Sequence, residues 1–143
     1  MSWDVLMIRT KSNREETIYA IKSENIIPFK QTEIADEIKK ISAELGAICN
    51  CDDLSWQNLD SNSWSIEFNV GNNAETESVM LHIRGGEEPK AVFAALTADL
   101  DTRLVDGCNC EFIVLGEPTS FEKWKAYRDK IVNACMVTAP LGR

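Results

Sequence analysis

The sequence predicts an α+β fold: a single antiparallel or mixed sheet with about three helices packed on it. Three observations carry that expectation. Two neighbouring segments alternate apolar and polar residues around a turn-forming Gly-Asn-Asn. One segment repeats isoleucines at helical spacing between recognisable ends. The chain of 143 residues has the usual size of one domain, so residues 1–143 are read as a single α+β domain.

In chain order the expected elements run β-α-β-β-α-β-β-α. Trp3 to Thr10 (WDVLMIRT) is apolar at consecutive positions, which suits a strand in the middle of a sheet. Lys11 to Glu16 is polar and reads as a loop, and Thr17 to Ile21 fits a short strand or a turn equally well. A helix is expected from about Thr32 to Leu45, because Ile34, Ile38, Ile41 and Leu45 form one stripe. Thr32 can cap its start, Glu33, Asp36 and Glu37 suit the positive end of its dipole, and Gly46 can end it in a left-handed conformation.

Ala47 to Ser63 reads as a long, acidic connection with a few apolar anchors, and long connections without regular structure are often functional. Trp64 to Val70 and Ser78 to Arg84 are the alternating strands. They place Trp64, Ile66, Phe68 and Val70, then Val79, Leu81 and Ile83, on one face. A second helix is expected near Pro89 to Leu96, with Ala91, Val92, Ala94, Ala95 and Leu96 inward. Short strands at about Thr102 to Val105 and Glu111 to Leu115 flank a turn at Asp106-Gly107. A last helix from about Thr119 to Met136 would place Phe121, Trp124, Ile131 and Cys135 near one stripe.

Charge narrows the function. The net charge is −8, and most of it lies between Leu45 and Ser120, where thirteen acidic residues face three basic ones. Such a field repels phosphate backbones, so no nucleic acid is expected as partner, and a basic protein is. No apolar run approaches the roughly 20 residues needed to span a bilayer. The opening Met1-Ser2-Trp3-Asp4 lacks the basic start of a secretory signal, so the expected compartment is the cytoplasm, with no membrane partner. The five cysteines are then expected as thiols.

Several residues are candidates for chemistry. His82 is the only histidine, and cross-strand pairing should bring Glu67, His82 and Arg84 to one face. A carboxylate, an imidazole and a guanidinium together suit proton transfer or anion binding, but also a covered ion pair. The covered pair is the favoured expectation, with Arg84→Ala destabilising. Cys49-Asn50-Cys51 and Cys108-Asn109-Cys110 would supply four thiolates to zinc, but at a spacing unlike the usual zinc knuckle, so neither metal nor cofactor is expected. Gly85-Gly86 before a helix lacks the Lys-Ser/Thr of a phosphate-binding loop, and Glu87 and Glu88 would repel phosphate. Trp56 in the acidic connection is a candidate interface anchor.

The run W-S-I-E-F-N-V-G from Trp64 precedes S-V-M-L-H-I-R-G-G and then Glu88-Pro89. With an apolar helix and the stretch Asp106 to Phe112, it resembles a family of small uncharacterised bacterial proteins. Ser2-Trp3-Asp4 and Tyr127-Arg128-Asp129 fit the same pattern, while Cys108 and Cys110 depart from its polar turn. The resemblance implies a bacterial origin and a fold. In size, acidity and make-up the chain is loosely similar to immunity proteins that neutralise bacterial toxins. The expected function is therefore an acidic, non-enzymatic protein-binding module of that type. It would meet a basic toxin surface through Asp52, Asp53, Trp56, Asp60, Glu75 and Glu77. The alternative is a small enzyme or ligand binder built on Glu67, His82 and Arg84.

Overall fold

A computed structural model describes residues 1–138. It contains nine strands: β1 (Trp3–Ile8), β2 (Phe29–Lys30), β3 (Ile48–Asn50), β4 (Trp56–Asp60), β5 (Trp64–Asn69), β6 (Glu75–Thr76), β7 (Val79–Gly85), β8 (Arg103–Asp106) and β9 (Glu111–Phe112). Seven of them form one antiparallel sheet in the order β3-β4-β5-β7-β1-β8-β9, while β2 and β6 pair separately as a two-stranded ribbon. Three helices, α1 (Gln31–Leu45), α2 (Lys90–Leu100) and α3 (Phe121–Thr138), complete an α+β architecture. Among the described residues no helix is long and apolar enough to cross a membrane.

The expected single sheet is therefore a large sheet plus a ribbon, and the expected element order lacks four short strands. Two of them, β3 and β4, replace the structureless connection expected from Ala47 to Ser63. The segment Thr17 to Ile21 contains one 3-10 turn, Ile18–Ala20, followed by another at Ser23–Asn25.

Alternation decides which face of the sheet is covered. Trp3, Val5 and Met7 on β1 share a face with Ile66 and Phe68 on β5 and with Val79, Leu81 and Ile83 on β7, and all are buried. Ile34, Ile38 and Ile41 of α1 and Val92, Phe93 and Leu96 of α2 join them in one core. Phe121 at the start of α3 packs edge-on against Trp3, with ring centroids 5.3 Å apart. Burying this many large apolar side chains, at about 2 kcal/mol each, drives the layers together.

Several local expectations change: in α2 Ala91 and Ala94 are exposed while Phe93 is buried, and the strand expected from Glu111 to Leu115 ends at Phe112. Lys30, not Thr32, caps α1, and the Glu33 carboxylate reaches back to accept from the Lys30 N–H while bound to Arg9. Leu45 ends the helix exposed rather than buried, before Gly46 at φ 67°. Among the described side chains of α3, burial is confined to the first turns: Phe121 and Trp124 join the core, but Ile131 and Cys135 are exposed.

Candidate functional site

The second face of the sheet carries Asp4 and Leu6 of β1, Met80, His82 and Arg84 of β7, Ser65, Glu67 and Asn69 of β5, and Trp56, Asn58 and Asp60 of β4. No helix of the described residues packs there. At one end the segment 11–27 covers Ile8 and Val105: Thr10 bridges Ile26, and Glu15 holds Arg103 over the Phe112 ring. The remainder of the face is half-buried or open.

Its centre is an aromatic and ionic platform. Asp4, His82, Glu67 and Asn58 form one cross-strand row. His82 Nδ1 lies 2.9 Å from Asp4 Oδ1, so the imidazole's carboxylate partner is Asp4 and not the neighbouring Glu67. Trp56, two strands away on β4, lays its indole across β5 and stacks on the His82 ring, 5.6 Å between centroids at 18°. Its own exposure of 38% leaves the indole available to a partner.

Asp4 is fixed from behind by the turn after β8. Its carbonyl accepts the Gly107 N–H at 2.8 Å, and a Cβ at Gly107 would meet that oxygen at 2.5 Å, so only glycine permits the approach. One residue earlier, Asp106 is buried. Its carboxylate accepts from the Ser120 N–H and hydroxyl, the Trp3 indole N–H and the Cys108 N–H, joining β1, the turn and the start of α3.

Glu67 does meet Arg84, at 3.1 Å, yet the expected covered pair is an open one: the two side chains are 34% and 44% exposed. Asp60 sits diagonally from Glu67 on the same face. Burial first, and then the Glu67 charge, hold its carboxyl above the ordinary carboxylate range. Two carboxylates thus share a patch in which Arg84 contacts only one.

The residues expected to bind a partner are brought together in part. Trp56 and Asp60 lie on the open face, and Asp52 and Asp53 occupy the turn that leads into Trp56. Asp53 shapes that turn, because its carboxylate accepts from the Ser55 N–H and hydroxyl, which lowers its pKa. Glu75 pairs with Lys30 on β2, next to the start of α1, and exposed Glu77 follows it. These two adjoin the same end of the sheet but sit beside the helix layer. Asp4 is the member that sequence reasoning misses; its one signal is the polar interruption of an otherwise apolar first strand.

The cysteine tripeptides do not converge. Cys49 and Cys51 lie at the β3 edge and Cys108 and Cys110 in the β8–β9 turn, toward the opposite edge. At the usual strand spacing that separation is roughly 25 Å, so no four-thiolate site can form. The Cys51 thiol is pushed up to about 11, mainly by burial, which disfavours the thiolate that metal binding requires. The Gly85-Gly86 turn is likewise closed to phosphate, because the Gly86 and Glu87 amides both donate to the Ser63 carbonyl.

No protein-family model matches the chain, and neither a curated protein nor a solved structure matches it significantly.

Proposed function

We propose that this protein is an acidic protein-binding module of the immunity type, which neutralises a bacterial toxin by covering a basic surface. Its partner is received on the open sheet face between β4 and β1. The observation that carries this reading is the Trp56–His82–Asp4 platform beside Asp60 and Glu67, two like charges served by one arginine. A rigid, half-exposed indole supplies anchoring area at small entropic cost, and large aromatics dominate interface energetics. A lysine or arginine placed between Asp60 and Glu67 would relieve their repulsion. The neighbouring Asp52 extends the field that steers a basic partner inward.

The test is capture of a basic partner from the protein's own cell lysate at low and high salt. Reversing Asp52 and Asp60 to lysine, or truncating Trp56→Ala, should abolish salt-sensitive capture. Reversing exposed Glu16 and Glu24 should leave it intact. Asp53 is left alone because its carboxylate shapes the turn. Equal loss from both pairs of reversals would mean that net charge, and no particular surface, governs capture.

A further inference from the structure

A cleft of about 800 Å³ opens between the first turns of α2 and α3 and the segment 113–119 that joins β9 to α3. Half-buried Ile113 lines it, Val114 and Leu115 stand exposed at its lip, and Phe93 and Phe121 lie beneath as part of the closed core. Its volume falls in the range of small-molecule sites, which are apolar inside with a few convergent polar groups. Its charged groups are mostly acidic: Glu87, Glu88, Glu117 and Glu122, against Lys90 alone. Glu88 is the most enclosed of them. Its side chain is 11% exposed and accepts the Thr119 hydroxyl, while its ion pair with the solvent-exposed Lys90 ammonium is 3.9 Å long.

This chemistry selects among ligands. An anion is excluded by four carboxylates and by the absence of a free amide in the Gly85-Gly86 turn. A bare metal ion would need its oxygens gathered at one point, and among the described residues no three such side chains are so grouped. An apolar body with a cationic end satisfies both the apolar wall of Ile113, Val114 and Leu115 and the acidic mouth.

We propose that this cleft is a binding site for a small organic cation of arylalkylammonium type, its ring against Ile113, Val114 and Leu115 and its nitrogen among the four glutamates. The site is separate from the open sheet face, so its test neither depends on nor decides the partner-binding reading.

The experiment is a titration of the intact protein, followed by amide NMR shifts, with 2-phenylethylammonium, 2-phenylethanol and 3-phenylpropionate. The ammonium should perturb amides of segment 113–119 and bind about tenfold more tightly than the alcohol, with the carboxylate weaker still. The double variant E117Q/E122Q, at two exposed positions, should cut the ammonium's advantage over the alcohol to about threefold and leave the alcohol unchanged. Ala94→Trp, which fills the cleft from α2, should block both ligands. Equal binding of all three probes, or no ammonium binding at about 10 mM, would overturn the proposal.

Discussion

The two faces of one sheet follow different rules in this protein. On the helix-covered face nearly every inward position of β1, β5 and β7 is a fully buried apolar side chain. On the open face the same three strands carry Asp4, Glu67, His82 and Arg84, joined by hydrogen bonds and ion pairs. Packing holds the first face, so its contributions are large and local to each side chain. Solvated polar contacts hold the second, so its contributions are small and its residues are free to serve recognition. The asymmetry lets substitutions on the open face leave the fold intact.

The largest expected effect tests the covered face. Phe68 is fully buried between β4 and β7. Phe68→Ala should destabilise by about 3–5 kcal/mol, through lost transfer energy and the cavity left behind. Denaturant unfolding should show a lower midpoint with an unchanged slope. A cost below about 1 kcal/mol would erase the contrast between the faces.

Among the described residues the helix layer contains one buried polar side chain, with an effect of intermediate size. Glu37 of α1 is only 6% exposed, and its carboxyl is pushed up to about 7 by burial first and by Asp99 of α2 second. Asp99, which also binds Lys40 at 3.0 Å, is held below its ordinary value by hydrogen bonds from Glu37 and Lys40. The proton of the pair therefore resides on Glu37. The folded state binds that proton more tightly than the unfolded chain, whose ordinary value is 4.5. Stability should fall as pH rises from about 4.5 to about 7 and level off above, a loss of roughly 1–3 kcal/mol. Glu37→Gln should flatten that slope and stabilise the protein at pH 8, as read by thermal unfolding across pH. A wild-type protein whose stability rises through this window would refute the assignment.

Legibility in the sequence tracks the same division. The strands β5 and β7 are readable because each carries three or four apolar residues at period two, and α1 because its isoleucines repeat at helical spacing. The strand β4 is not, because W-Q-N-L-D offers one apolar inward residue, Leu59. The other inward position holds Gln57, which is buried by donating to the Gln31 and Leu54 carbonyls, a contact no local pattern announces. The site is half legible for the same reason. Strand register brings Glu67, His82 and Arg84 together, and it can be drawn from the hairpin alone. The pairing of His82 with Asp4, and the reach of Trp56 over β5, depend on β1 and β4 flanking that hairpin. Both contacts join residues far apart in the chain, beyond the reach of any local pattern. Alternation also shows which residues share a face, but not whether another element covers it. That is why the Arg84 pair, expected as covered, is an open one.

The smallest effect is expected at that pair, and it bears most directly on the open face. Arg84 and Glu67 lie diagonally across β5 and β7 with about two-fifths and one-third of their side chains in solvent. Water screens the attraction, and ordering two long side chains offsets part of what remains, so such pairs contribute about 0.2–1 kcal/mol. Arg84→Ala should therefore cost less than about 1 kcal/mol, and a double-mutant cycle with Glu67→Gln should give a coupling within the same range that shrinks at high salt. Removing the guanidinium also leaves Glu67 without its cation beside Asp60. A basic partner would then supply the missing charge, so Arg84→Ala should bind it more tightly while folding almost as well. A cost of several kcal/mol would instead mean that a further element covers this face in solution, and would overturn the proposal that the open platform receives a partner.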